Sequence, residues 1–436
     1  MIEIIPVGGY SEIGRNCTIV KWKDEAVMLD LGLMMENYVP IQEENEKMPL
    51  DLLIREQAVP DLDAVREELK YIKGIIISHA HLDHIGAIPH FINKIKAPIY
   101  GTKFTIEIIK AILDDKKTKT GTKLITKKTN SQFKVSKNLK IQFIHVTHST
   151  PQSVIIAVHT PEGTVVYAND FKFDEDPVLG EKTNFQALSK LKNVKALIID
   201  SLYSQSQGKA TSEAEAKKQL EIVMQENNHK NKNLVITTFS SQIARLKTIT
   251  EITKKIGRTP VFVGRSMNKY ITAAKKANLT DLTKKAEIIK YGSAIEKYFK
   301  QNKITTDKVF IVTGHQGEPR SVLSRMSKGK FFPFNDQDTI IFSCKIIPTE
   351  ECFQNREKLE IELKARNLEI IKDIHASGHA YQEDHQQLIK TIKPENIIPT
   401  HGDLEMLQAQ KQNCKKLGYK DENIHILQNF SKIYLK

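Results

Sequence analysis

Short apolar runs rich in β-branched residues recur along the chain: Lys73–Ser78, Ile141–Val146, Thr164–Ala168, Ala196–Asp200, Leu234–Thr238, Lys308–Thr313, Thr339–Ser343 and Asn396–Pro399. Runs this short, bounded by polar residues, predict buried strands. Between several of them lie helical patterns, as in Ser212–Glu226 and Ile243–Ile256. Up to about residue 100 strands dominate and long helices are few. From about 205 to 345 strand and helix alternate, which predicts an α/β unit built on a parallel sheet. The polar stretch Ser204–Gly208 and the charged stretch Glu350–Glu360 are the natural boundaries. The expected organisation is therefore 1–207, 208–358 and 359–436, with the first and third segments making one domain. No internal repeat or low-complexity tail interrupts it.

A chain of 436 residues is long enough for two compact domains. No apolar run approaches the roughly 18–20 residues that cross a bilayer, so no membrane partner is expected. The opening MIEIIPVGGY lacks a basic segment followed by a cleavable apolar one, so no secretion signal is read there. Cys17, Cys344, Cys352 and Cys414 are scattered and form no close pair. That pattern suits neither a disulfide scaffold nor a zinc ribbon, and a cytoplasmic location is the simple expectation.

Charge changes the picture. The chain carries 65 Lys+Arg against 52 Asp+Glu, a net +13. Such a surplus attracts a polyanion, RNA or DNA; a heat-adapted surface rich in Lys and Glu is the bland alternative. The Lys-rich stretch 115–140 reads either as a basic rim for RNA or, more simply, as a solvated hairpin face. Arg is scarce, and Arg15, Arg245, Arg265, Arg320 and Arg325 fall in Gly- or Ser-containing segments. They could grip phosphate with their planar forks, or form ordinary pairs with carboxylates.

Histidine placement carries the chemistry. His79, His81, Asp83 and His84 follow directly on a predicted strand. Three imidazoles and a carboxylate within six residues suit a site for zinc and its neighbours. One loop cannot complete two metal spheres, so other segments must contribute. His148, Asp170 and His401 each stand where an apolar strand breaks into a polar loop. His145 lies inside its strand and reads as a packed residue.

In order and spacing, these residues resemble the ligand motifs of the metallo-β-lactamase superfamily. The resemblance implies an α/β fold: a metallo-β-lactamase αββα sandwich with an inserted β-CASP α/β domain. It implies one metal on His79, His81 and His148, a second on Asp83, His84 and His401, and Asp170 bridging them. The cofactors would be two zinc ions, with manganese or magnesium as substitutes. Asp30, in VMLDLG, would orient the ligand loop. Asp200 in LIIDSLYS and His379 in HASGHA match acidic and histidine motifs of the β-CASP nucleases, with His401 as a third motif. The segments VGGYSEIGRN, ITTFSSQIARL, VGRSM, TGHQGEPRSVLSR and IFSCKIIP are similar to those of the ribonuclease J family, in its shorter archaeal form.

That likeness implies a metal-dependent ribonuclease acting on single-stranded RNA, 5′→3′ from a 5′-monophosphate, with endonuclease activity beside it. His379, Asp200 and Asp83 would be catalytic. Ser377, Gly378, Ala380, Ser240, Ser241, Arg265 and Ser266 would hold the substrate, in a groove with the inserted domain as its other wall. A homodimer stays open as an assembly, but the likeness to the shorter archaeal form, expected to lack the extra C-terminal domain, puts the dimer of the longer bacterial enzymes in doubt. Three positions depart from the family pattern: Gln152 where an acidic residue is common, Asn169 before the bridging Asp, and His315 before Gln-Gly-Glu-Pro. The rival readings are an endonuclease of the pre-mRNA 3′-end cleavage type, a small-molecule metallo-hydrolase, a metal-free RNA-binding scaffold and a DNA repair nuclease.

Overall fold

The computed structural model describes residues 1–44, 48–229, 231–290, 292–301 and 306–435. The chain divides into two compact units. The first comprises Met1–Glu175, Glu181–Ala210 and Gly378–Lys436; the second comprises Asp176–Gly180 and Thr211–Ser377.

Among the described residues the first unit holds two sheets. One has seven strands in the spatial order Ile433–Leu435, Ile2–Gly8, Cys17–Trp22, Glu25–Leu29, Ile72–Ile76, Ile99–Gly101 and Leu124–Thr126. The other has six: Asn396–Thr400, Val194–Asp200, Gly163–Ala168, Val154–Thr160, Lys140–His145 and Ser131–Lys134. Side-chain alternation explains the layering. Ile141, Phe143, Ile156, Val158, Val165, Tyr167 and Ile198 point one way and pack with Ile4, Val20, Val27 and Ile76 of the facing sheet. The intervening Ile144, Ile155, Val166, Leu197 and Ile199 point the other way, onto Leu188, Leu388, Ile392 and Cys414 of covering helices. A strand buried on both faces must read as a continuous apolar run, which is why these strands stand out in the sequence. Each such side chain contributes about 1.5–3 kcal/mol by leaving water. Helix Lys103–Asp115 links two parallel strands of the first sheet and buries Phe104, Ile108 and Ile112. The outcome is the expected helix–sheet–sheet–helix sandwich.

The second unit holds a six-stranded sheet in the order Glu287–Ile289, Thr259–Val263, Lys308–Val312, Leu234–Thr237, Thr339–Phe342 and Glu369–Ile371. All neighbours run parallel. Parallel neighbours need crossovers, and helices such as Ile243–Lys255 and Glu350–Lys364 supply them. The sheet continues past residue 358, where the sequence placed a boundary, because Glu369–Ile371 pairs with Thr339–Phe342. A three-residue edge strand behind a charged helix leaves no apolar run to announce it.

Three of the five singled-out arginines are in carboxylate pairs. Arg15 pairs with Glu12 at 2.7 Å and Arg325 with Glu296 at 2.8 Å. Arg245 is fully buried and grips Glu213 with both forks, at 2.6 and 3.0 Å, while donating to the carbonyls of Ser343 and Ile374. Those three forks are spoken for by the protein itself, which decides them for the carboxylate alternative over phosphate.

Candidate metal centre

Strand Ile72–Ile76 runs out into Ile77 and Ser78, and the His79–His84 turn follows. Asp30, fully buried at the end of the neighbouring strand Glu25–Leu29, holds that turn. Its carboxylate accepts from the Ser78 amide at 2.8 Å and the Ser78 hydroxyl at 2.7 Å, and it faces His84 Nδ1 at 2.7 Å. Because the Ser78 hydroxyl donates to Asp30, it accepts from His79 Nδ1, 3.0 Å away. His148 Nδ1 donates to the Gly378 carbonyl at 2.6 Å, and His401 Nδ1 to Asn16 Oδ1 at 3.1 Å. In His79, His84, His148 and His401 the Nδ1 atom is thus engaged and Nε2 faces the cluster, that of His84 with the Asn16 amide nitrogen 3.0 Å away. This outer hydrogen bond is what fixes a ligating imidazole's tautomer and aim.

The Nε2 atoms converge. His79 Nε2 and His148 Nε2 lie 3.1 and 3.2 Å from His81 Nδ1, and 3.4 and 3.6 Å from Asp170 Oδ2. On the other side, His84 Nε2 lies 3.3 Å from Asp83 Oδ2 and 3.2 Å from Asp170 Oδ1. His401 Nε2 is 3.9 Å from Asp83 Oδ2 and 3.7 Å from Asp170 Oδ1. Among the described residues the donors form three overlapping groups able to hold a cation: His79–His81–His148–Asp170, Asp83–His84–His401, and Asp170–His379–His401, which draws on the first two and adds His379. The two oxygens of Asp170 face different groups, and the buried Oδ1 accepts no hydrogen bond. An orphaned carboxylate oxygen in a ring of imidazole nitrogens is costly unless a cation completes it. The residues present therefore fit a pair of divalent ions. Asp30, Asp170 and His401 all hold a left-handed backbone, φ 59°, 59° and 53°. Asp adopts this readily; for His401 it is a local strain that the surroundings hold in place. The amide of His401 donates to the Gly9 carbonyl at 2.7 Å, which ties that loop to the chain's opening segment.

His379 stands beside these donor groups and is held differently. Its Nδ1 is 2.8 Å from Asp200 Oδ2 and its Nε2 is 3.7 Å from Asp170 Oδ2. Burial opposes a charge on this ring, but Asp170 and Asp200 outweigh it and hold its pKa up to about 9. Burial and the neighbouring His84 push His79 down to about 4. His148 is also lowered, by burial and by His79 and His81. For His84 burial again opposes the charge, and Asp170, Asp83 and Asp30 together raise its pKa well above the usual value. Cationic His379 thus sits next to a first donor group whose His79 and His148 are kept neutral, while His84 in the second group is held toward its charged form.

These observations meet what known proteins show. Residues 231–357 match the profile of the ribonuclease J beta-CASP domain, residues 11–224 that of the metallo-beta-lactamase superfamily, and residues 365–427 that of the Zn-dependent metallo-hydrolase RNA specificity domain. Ribonuclease J of Pyrococcus abyssi is 38% identical over 428 residues, 96% of this chain and 94% of that protein. The chain belongs to the ribonuclease J family. Ribonuclease J of Methanocaldococcus jannaschii is also 38% identical, over 98% of this chain and 97% of its own. Ribonuclease J of Synechocystis is 30% identical, and this chain spans 64% of it. A protein of unknown function from Enterococcus faecalis V583 shares the fold, with a TM-score of 0.66, 16% identity and full coverage of both chains.

Against this family's pattern, the departures acquire reasons. Gln152 Oε1 accepts from the Phe104 amide at 2.9 Å, a task an acidic side chain would also perform. Asn169 donates to Asn16 Oδ1 at 2.8 Å and to the Tyr167 hydroxyl at 2.9 Å. The His315 ring is buried on Phe239, centroids 3.9 Å apart, and burial takes its pKa down to about 3. Asn16 is a site residue the sequence reading did not single out. Besides accepting from His401, its amide donates to the Asp83 carbonyl at 3.1 Å. The available signal was only an Asn closing the glycine-containing VGGYSEIGRN segment. His145 behaves as expected, packed in its strand with Nε2 on the Glu181 carbonyl at 2.9 Å.

The remaining candidates divide between the units. Gly378, His379 and Ala380 belong to the first, and the Ala380 side chain is sunk in the helix–sheet core. Ser377, Ser240, Ser241, Arg265 and Ser266 belong to the second. There Ser240 and Ser241 follow strand Leu234–Thr237, and Arg265 and Ser266 follow Thr259–Val263. Both pairs therefore lie at the carboxyl edge of the parallel sheet. Among the described residues no helix is long and apolar enough to cross a membrane.

Proposed function

We propose that this metal-dependent ribonuclease degrades single-stranded RNA 5′→3′ from a 5′-monophosphate, with internal cleavage as a second mode, and uses two zinc ions that manganese or magnesium can replace. The observation carrying the two-metal reading is Asp170, whose two oxygens face separate donor groups. His79, His81 and His148 would hold one ion, Asp83, His84 and His401 the other, and Asp170 both. When bound, the ions supply Lewis acidity that makes water a nucleophile near neutral pH and neutralises charge on the phosphate.

The chain's own residues do the rest. His379, kept cationic by Asp170 and Asp200, donates to a phosphoryl oxygen as charge builds there, or gives its proton to the leaving oxygen. Asp200 holds the His379 ring through Nδ1 and so directs Nε2 toward the reaction. Asp83 combines ligation with this catalytic set. The amides of Ser377, Gly378 and Ala380 flank His379 along the chain and are our candidates for the 5′-phosphate; Ser240, Ser241, Arg265 and Ser266 are separate substrate-binding candidates within the second unit. A cytoplasmic location and assembly as a homodimer belong to the same reading.

Product sizing on labelled RNA with defined 5′ ends tests the direction. Mononucleotides released faster from 5′-monophosphate than from 5′-triphosphate RNA support it. Equal rates with only internal fragments would make the chain an endonuclease.

A further inference from the structure

The Lys-rich stretch is not one surface. Residues 116–140 hold nine lysines and no aspartate or glutamate. Strand Leu124–Thr126 joins the first sheet, beside Ile99–Gly101, whereas Ser131–Lys134 pairs with Lys140–His145 in the other sheet. Strands Ile72–Ile76, Ile99–Gly101 and Leu124–Thr126 are adjacent and parallel, so their carboxyl ends share one edge. His79 leaves the first of these ends, Lys103 the second, and Lys127 and Lys128 the third. With strands about 4.8 Å apart, Lys127 starts roughly 10 Å along that edge from the turn carrying the metal ligands.

The edge is also tied together. The Lys127 amide donates to the Gly101 carbonyl at 2.9 Å, and the Phe104 amide donates to Gln152, in the loop that begins at His148. Lys127 is steered by aromatic faces, its ammonium 4.7 Å from the Phe133 centroid. Lys128 is exposed, Lys103 and Lys127 are half-buried, and among the described residues none of the three joins an ion pair. By contrast Lys117, Lys119 and Lys123 are exposed at the opposite edge, because helix Lys103–Asp115 runs about 20 Å back across the sheet before them.

From this placement we infer that Lys103, Lys127 and Lys128 form a phosphate track that holds the RNA backbone beside the metal centre. This rests on the ribonuclease reading and adds to it a binding surface confined to the first unit. Three cations that join no ion pair among the described residues, placed along the edge that carries the ligands, suit the repeating charge of a nucleic-acid backbone. Their role is to hold substrate, so their loss should weaken binding and leave the chemical step alone.

The test is salt dependence of binding by the full chain, using a labelled single-stranded RNA of about 20 nucleotides in chelator, so that nothing is cut. Each phosphate contact on a single strand contributes about 0.7 to the slope of log K against log salt. The variant Lys103→Gln/Lys127→Gln/Lys128→Gln should lose about 2 from that slope, and Arg at the same positions should restore it. Lys117→Gln/Lys119→Gln/Lys123→Gln removes equal charge and should keep the native slope. With metal restored, the first variant should show a raised KM and an unchanged kcat on the same RNA. Equal slope changes in both triple variants, or none in the first, overturn the track. A native chain that cuts no RNA overturns the ribonuclease reading instead, and the binding slopes are read independently of cutting.

Discussion

His81 and His379 approach the same buried carboxylate, at 4.0 and 3.7 Å, yet they should fail differently. His81 offers Nδ1 to the first donor group, whereas His379 is held by Asp200 and carries a proton. His81→Ala should lose bound metal and activity together. His379→Ala should keep both ions and lose roughly 10²–10⁴-fold in kcat. Metal analysis beside single-turnover rates separates the two, and equal metal loss in both variants would contradict the division. His315 offers a test in the second unit. Its folded pKa of about 3 lies below the ordinary value near 6.5, so the unfolded chain takes up the proton first as pH falls. Stability from this residue is therefore full above about 6.5 and drains away toward pH 3. His315→Leu removes the proton site and keeps an apolar side chain against Phe239. Between pH 7 and pH 5 the variant should lose about 2 kcal/mol less than the native chain, read from denaturant midpoints. These single-residue facts were unevenly legible. The His79–His84 cluster was plain, because that much polar density at a strand end is rarely structural. Asn16 was hidden, because one amide looks the same whether it serves a ligand or a turn.

Elements bring the loops together through close backbone approach. A Cβ on Gly378 would lie 2.9 Å from Ser149 Cβ and 3.0 Å from His148 Cε1, while the Gly378 carbonyl holds His148 Nδ1. Gly378→Ala should therefore push His148 off its line and cost about 10²-fold in kcat. Gly121→Ala, where an added Cβ meets nothing within 4 Å, should leave kcat unchanged. Strands buried on both faces were readable in sequence; the three-residue strands Ile99–Gly101, Leu124–Thr126 and Glu369–Ile371 were not. They are too short for a periodicity and exist because a neighbouring strand offers its open edge. For the same reason the Lys-rich stretch, read as one surface, divides between two sheets.

For the whole chain, the metal centre is a point where four separated segments are bound into one unit. Removing the ions should leave Asp83 and Asp170 facing protonated His84 and His379, since both rings hold protons well above the ordinary imidazole value. Metal binding then displaces protons, so affinity should fall as pH drops. Calorimetry of chelated protein should show a Tm several degrees lower, recovering with added zinc, since ions at 100 times their Kd contribute about 2.7 kcal/mol. An unchanged Tm would mean that the cluster holds no ion. The amino-acid order alone determined the donor set, the strands that end at it, the α/β alternation of the inserted unit and the basic charge, because these are local in the chain and leave periodic or compositional marks. Only the folded arrangement decided that Asp170 turns one oxygen to each donor group, that Asn16 braces His401, and that Lys127 shares an edge with His79. Those facts depend on distances between residues far apart in sequence, which sheet pairing and core packing set and no local pattern records.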